Sequence, residues 1–204
     1  MPELMSTDRA ELDALLASTV VGHVGFVDDT GRARVLPTAV VRWGERIVIH
    51  GSTGSGWLRR LAEGAPACVT VTAVDGVVVA RSAFESSLLY RSAVLFGQFT
   101  VLQGTEKLAA LDALTDRLLP GRVAEVRRPT AKELAATLLL AMPLTEWSLR
   151  TSDGFAEDPD DDVAGPAWAG QVRLGPAPLS IVPAPGLRPG IPVPASVAAV
   201  AGLR

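Results

Sequence analysis

The chain has 204 residues, a formal net charge of −3, 48 % apolar residues and one cysteine, Cys68. That length suits one domain, or one domain and a tail, with enough chain to bury a core. The charge balance excludes the basic surface that nucleic acid requires, and a single thiol excludes an internal disulfide or a cysteine-based metal site.

Met1-Pro2-Glu3-Leu4 is polar from the start and no apolar run reaches spanning length, so the chain reads as soluble and cytoplasmic, with no membrane partner. Cys68 lies in an alternating apolar pattern and is expected to be a buried, inert thiol.

In chain order, residues 7–18 predict a short helix with Leu12, Leu15 and Leu16 on one face and Thr7 or Asp8 as its cap. Val20 to Val27 predicts a strand closed by Asp28-Asp29-Thr30-Gly31. A second strand follows from Ala33 to Arg42, where Pro37 marks an edge or a bulge. Trp43-Gly44-Glu45 turns into a third strand, Arg46 to His50, and the three are expected as an antiparallel meander. A helix is expected at 56–63, then strands Ala67 to Val74 and Val77 to Phe84 around a hairpin turn at Asp75-Gly76.

A long strand, Ala93 to Leu102, precedes a helix from Glu106 to Leu119 that Thr105 caps and Pro120-Gly121 ends. Thr130 and Glu133 form a capping box for another helix, expected to run to Pro143. Glu146 to Thr151 and Trp168 to Leu174 are strand candidates. The acidic run at 157–162 lies in a predicted solvated loop, 153–166, and its spacing is not that of a cation site, so no metal is expected. The proline-rich stretch 176–194 reads as extended. Many short strands with a few helices between them point to a mainly β fold, a small antiparallel barrel with peripheral helices. The domain spans residues 1–150, and 151–204 form an acidic loop, a final strand and a proline-rich extension packed on it.

One stretch stands apart chemically. After the β-branched run Ile47-Val48-Ile49 come His50-Gly51-Ser52-Thr53-Gly54-Ser55-Gly56, and then a cationic helix with Trp57, Arg59 and Arg60. Such a loop can turn backbone N–H groups and the hydroxyls of Ser52, Thr53 and Ser55 toward an anion at the helix start. Gly51 and Gly56 have the glycine spacing of a P-loop, but Trp57 and Leu58 stand where Lys and Ser/Thr are needed, so nucleoside-triphosphatase chemistry is excluded.

Four segments taken together carry a resemblance. They are Val35-Leu36-Pro37-Thr38, Ile49-His50-Gly51-Ser52, Leu89-Tyr90-Arg91-Ser92-Ala93-Val94-Leu95-Phe96-Gly97, and Glu106-Lys107 leading to Leu119-Pro120-Gly121-Arg122. In this order they resemble the pyridoxamine 5′-phosphate oxidase-like split barrels that bind FMN, in the branch of nitroimidazole-reductase-like, flavin-nucleotide-binding proteins. The likeness covers about residues 8–150, and Trp168-Ala169-Gly170 with the later Pro-Gly-Ile-Pro-Val-Pro resembles the end of the same branch. It implies an antiparallel split β-barrel and a homodimer with FMN between subunits. His50, Gly51, Ser52, Thr53 and Ser55 would hold the flavin phosphate, Leu36, Pro37 and Thr38 would line the isoalloxazine, and Tyr90 and Ser92 would also lie at the flavin.

The family commonly has Lys where this chain has Gly56 and Trp57. Arg59, Arg60 or Arg91 would then supply the missing cation. Trp57 could instead stack on a ring, which favours haem or a deazaflavin.

The leading expectation is an FMN-dependent oxidoreductase that moves electrons from a reduced nicotinamide to a small acceptor. His50 is its first candidate proton donor and Tyr90 its second. The alternatives are a non-catalytic dimer that binds or senses flavin or haem, with His50 or His23 as the axial ligand, and an interaction module that has lost its ligand.

Overall fold

Between Ala39 and Val41 the chain leaves one sheet and enters another, so the expected meander is instead two hairpins. The computed structural model describes residues 4–175 and 192–200. In chain order the strands are β1 (Met5–Ser6), β2 (Val21–Val27), β3 (Ala33–Ala39), β4 (Val41–Trp43), β5 (Arg46–Ser52), β6 (Pro66–Val79), β7 (Ser87–Gln98), β8 (Thr100–Val101), β9 (Thr137–Pro143), β10 (Glu146–Ser152) and β11 (Gly170–Arg173). The helices are α1 (Arg9–Ser18), α2 (Gly56–Ala62), α3 (Gly104–Leu118), α4 (Arg122–Glu125), α5 (Ala131–Ala136), α6 (Asp160–Val163) and α7 (Ala195–Val200). The proline-rich tail expected at 176–194 lies, up to residue 191, outside the described residues.

The described parts of Met1–Ala39, Pro66–Gly97 and Leu144–Pro176 make one unit. Its sheet has the order β1-β10-β7-β6-β2-β3, with β11 paired to β6 off that path. β1 with β10, β10 with β7, β2 with β3 and β6, and β11 with β6 all run antiparallel. Pro37 sits on β3 at the end of this path, opposite His23, where a missing N–H costs no ladder bond. The Asp8 carboxylate accepts from the Ala10 N–H at 2.7 Å and starts α1. Leu12, Leu15 and Leu16 of that helix are buried, as are Val24, Val69, Leu89, Leu95 and Leu149 of the strands.

One turn signal fails here. Asp75-Gly76 makes no hairpin, and β6 runs straight through it. A Cβ at Gly76 would collide with the carbonyl oxygen of Val172, so this glycine admits β11 rather than reversing the chain. Asp75 meanwhile accepts both Nε and Nη2 of Arg91, each at 2.8 Å.

The described parts of Val40–Ala65, Gln98–Pro143 and Ala177–Arg204 make the second unit. Its sheet is β4-β5-β9-β8, antiparallel throughout. Val41, Val48, Leu102, Leu139 and Ala141 form a buried cluster with Ala110 and Leu114 of α3, and Leu111 packs at its edge. Ile47, Ile49, Leu140 and Met142 are also buried, and they alternate with that cluster along β5 and β9, so both faces of the central strands are covered. A Cβ at Gly51 would sit 2.6 Å from Leu58 Cδ1, which makes the glycine the contact that lets α2 close on the sheet.

The capping box at Thr130 and Glu133 forms as expected, but its helix ends at Ala136 and the chain continues as β9. The run Leu138 to Met142 is apolar on both faces because it is a central strand, and such a run carries no alternation to distinguish it from a helix. Helix α3 starts at Gly104, with Gln103 rather than Thr105 at the cap position and no side-chain cap bond.

Candidate functional site

His50 closes the apolar part of β5. It pairs across the ladder with Leu139 and points to the same side as Val48, the side covered by α3. Beyond it the packing opens. A cavity of about 460 Å³ is lined by His50, by Leu111, Asp112 and Thr115 of α3, by Val123 and Val126, and by Arg127, Arg128, Pro129, Glu133, Leu134 and Thr137. This volume is in the range of ordinary ligand pockets, and the lining combines five apolar residues with seven polar or charged ones.

The Nδ1 atom of His50 is buried and has no hydrogen-bond partner. A buried polar atom without a partner is uncommon and expensive, and Arg150 Nε and Thr151 Oγ1 share that state. Burial also holds the His50 pKa below its ordinary value, so the imidazole is neutral at neutral pH. A neutral imidazole offers a lone pair, and that is the form a metal centre needs.

The cavity walls are fastened from several directions. Lys107 Nζ donates to the carbonyls of Leu134 at 2.7 Å and Thr137 at 2.5 Å, a cation at the C-terminal end of α5. Glu106 accepts from Arg46 at 2.5 Å. The Glu106-Lys107 pair thus ties α3 to β5 and α5. Glu133 accepts the Thr130 N–H at 2.7 Å and two N–H groups of Arg127 at 2.8 and 2.6 Å, which hold its carboxyl near pKa 2. Arg128 donates to Asp112 at 2.7 Å. On α4, Glu125 accepts the N–H of Ser196 at 3.0 Å and also its hydroxyl, which seats α7 there.

The loop after β5 spends much of its donor capacity on itself. Thr53 N–H donates to Ala136 O and Ser55 N–H to Ser52 O, each at 2.9 Å, while Gly54 N–H donates to Ser52 Oγ at 3.1 Å. Ser55 stands at the cap of α2 without a side-chain cap bond, so its hydroxyl, that of Thr53 and the first amides of α2 are what the loop offers an anion. Trp57 is half-buried in the first turn of that helix.

The remaining candidates lie in the other unit. Leu36, Pro37 and Thr38 are on β3, and Tyr90, Arg91 and Ser92 are on β7. β6 and β2 separate these strands, so the two groups stand three strand spacings apart, about 14 Å. They are not adjacent within one protomer. Tyr90 lies under the Arg150 guanidinium, 5.7 Å from the ring centre. Arg91 is committed to Asp75, which holds the Asp75 carboxyl below its ordinary pKa. His23 is exposed on β2. Cys68 is part-buried beside Gly25. Asp158 of the acidic loop is buried against Arg81, which donates to it from both its N–H and its guanidinium. No group of three or more His, Cys, Asp or Glu among the described residues could hold a metal ion.

Residues 8–151 match the family described as pyridoxamine 5′-phosphate oxidase. The chain belongs to that family. It is 52 % identical to the FAD and haem binding protein from Mycobacterium smegmatis, with 96 % of each chain covered and a TM-score of 0.92. It is 31 % identical to the flavocytochrome Anf3 from Azotobacter vinelandii, covering 97 % of this chain and 92 % of the other, with a TM-score of 0.89. A proposed 5-nitroimidazole antibiotic resistance protein from Bacteroides thetaiotaomicron shares the fold at 16 % identity, covering 71 % and 84 %, with a TM-score of 0.61. No curated protein matches the chain. The split barrel with peripheral helices expected from the four segments is the fold of this family member.

The cavity's other walls escaped the sequence reading. Leu111 and Thr115 fall inside the helix expected from Glu106 to Leu119, and Arg127-Arg128-Pro129 lie between that helix and the capping box at Thr130. Only the pairing of β5 with β9 brings the α5 end to His50, and no local pattern encodes that.

Proposed function

We propose that this chain binds a flavin nucleotide and a haem, and carries electrons from a reduced nicotinamide to the haem or to a small acceptor. The observation that carries the haem half is the half-buried imidazole of His50 on the wall of a cavity of ligand size. It gains weight from 52 % identity to a protein described as binding FAD and haem. His50 is favoured over His23 as axial ligand because it is neutral, half-buried and lines a cavity, whereas His23 is exposed on a strand. Leu111, Val123, Val126 and Leu134 would keep water from the ring, and fixed ligand orientation comes from β5 itself.

For the flavin, the hydroxyls of Thr53 and Ser55 and the start of α2 remain the phosphate candidates. The relative's FAD favours FAD over the FMN expected from the sequence. Once bound, flavin and haem supply the hydride and one-electron chemistry, and the protein supplies position and electrostatics. With His50 as a ligand, Tyr90 Oη is the remaining proton donor candidate. We also propose a homodimer. The separation of Leu36–Thr38 from Tyr90–Ser92 within one protomer supports it, as do Val21, Val27 and Val35, which stand exposed on β2 and β3.

The absorption spectrum of the purified protein tests both halves. Flavin bands together with a Soret band are expected, and mass analysis of the released nucleotide separates FAD from FMN. A flavin spectrum that gains no Soret band after haem is added would remove the haem half. A colourless protein that takes up neither would remove both.

A further inference from the structure

We infer that Arg127 and Arg128 form a carboxylate clamp at the mouth of the His50 cavity, and that this clamp selects a flat apolar ligand carrying two acid groups. The inference rests on the haem reading above. The lining of the cavity is sorted by chemistry. His50, Leu111, Val123, Val126 and Leu134 supply one ligating nitrogen and an apolar wall, while Arg127 and Arg128 are adjacent cations whose side chains are 68 % and 49 % exposed. An apolar ring that enters with its acid groups trailing would meet the two guanidinium groups together.

Both arginines are held ready by carboxylates of the cavity wall. Arg128 donates one N–H to Asp112, so its guanidinium keeps further donors for a second carboxylate. Arg127 gives both Nη groups to Glu133. The Arg128–Asp112 pair is a single solvent-exposed bond and holds weakly against a competing bidentate partner, whereas Arg127 and Glu133 are joined by two bonds. Glu133 can release Arg127 without loosening the wall, because it also accepts the N–H and hydroxyl of Thr130. Glu133 and Asp112 hold the two guanidinium groups at the cavity.

The test compares haem with its dimethyl ester, which has the same ring and iron but no acid groups. Apo-protein is titrated with each and the Soret band followed, for the wild type and for the double variant Arg127→Gln/Arg128→Gln. Wild type should prefer haem over the ester by about ten- to a hundredfold. In the double variant haem should fall to the level of the ester, with the ester's affinity and the Soret position unchanged. Arg127→Lys/Arg128→Lys, matched for charge, should recover part of the preference and guards against a folding artefact. A double variant that keeps the full preference, or a wild type that shows none, overturns the clamp while leaving His50 ligation standing. Absence of any His50-dependent Soret change with either compound would remove the haem reading and the clamp together.

Discussion

The two units differ in what lies beside their polar groups. In the larger sheet Arg91 is paired with Asp75 and Arg81 with Asp158, while Arg150 Nε and Thr151 Oγ1 are buried without a hydrogen-bond partner. These pairs sit where the chain must be pinned, at the β6–β11 crossing and under the acidic loop. In the smaller sheet the packing is complete on both faces of β5 and β9, and then stops at a histidine with no partner and a cavity beside it. An unpartnered buried atom does not by itself mark chemistry; what sets His50 apart is a neutral imidazole with the cavity beside it.

Core truncation should separate the units most sharply. Leu139→Ala and Leu95→Ala each remove a fully buried leucine and should each cost about 2–5 kcal/mol of stability by denaturant unfolding. Leu139 pairs with His50, so only its loss should also weaken haem uptake. Equal haem affinity in the two variants would mean that the cavity is indifferent to its own core.

Next in size is Asp75→Ala. It leaves the part-buried Arg91 unpaired and should cost about 1–3 kcal/mol of stability, with Asp75→Ala/Arg91→Ala recovering part of the loss. If flavin affinity drops while stability holds, Arg91 serves the ligand rather than the fold, and the contrast between units weakens.

A smaller effect is expected at the loop. Thr53→Ala/Ser55→Ala should weaken a flavin nucleotide by about 1–2 kcal/mol in calorimetric titration, because two hydroxyls are lost. Riboflavin, which has no phosphate, should be nearly unaffected. Equal losses for both would place the phosphate elsewhere.

The smallest effect is in pH. The folded pKa of His50 lies below the unfolded value, so at pH values between the two the unfolded state binds more protons. Stability from this group is therefore constant above about pH 6.5 and declines as pH falls below it. Haem affinity, which needs the neutral ring, should likewise stay flat across neutral pH and fall only under acid conditions. A decline already beginning at pH 7.5 would contradict a depressed pKa.

What could be read from the sequence was local. Thr130 and Glu133 declare their capping box within four residues, and Pro37 declares an edge because no central strand tolerates it. Leu12, Leu15 and Leu16 lie on one helical face for the same reason. Gly76 misled because its role is tertiary: it makes room for β11, nearly a hundred residues on. Leu138 to Met142 misled because burial on both faces erases the period that tells strand from helix. At the site, His50 stood out as a strand-end histidine before a small-residue loop. Its cavity partners Leu111, Arg127 and Glu133 did not, since they reach it only through the β5–β9 ladder.

The central claim is that His50 ligates haem in this cavity. It is tested most directly by titrating haem into the wild type, His50→Ala and His23→Ala, reading the Soret band, with circular dichroism as the check on folding. Wild type and His23→Ala should give the same sharp, shifted band at the same affinity, and His50→Ala should lose it, with affinity down by at least about a hundredfold. A folded His50→Ala protein that binds haem with the wild-type spectrum, or a His23→Ala protein that does not, would contradict the account.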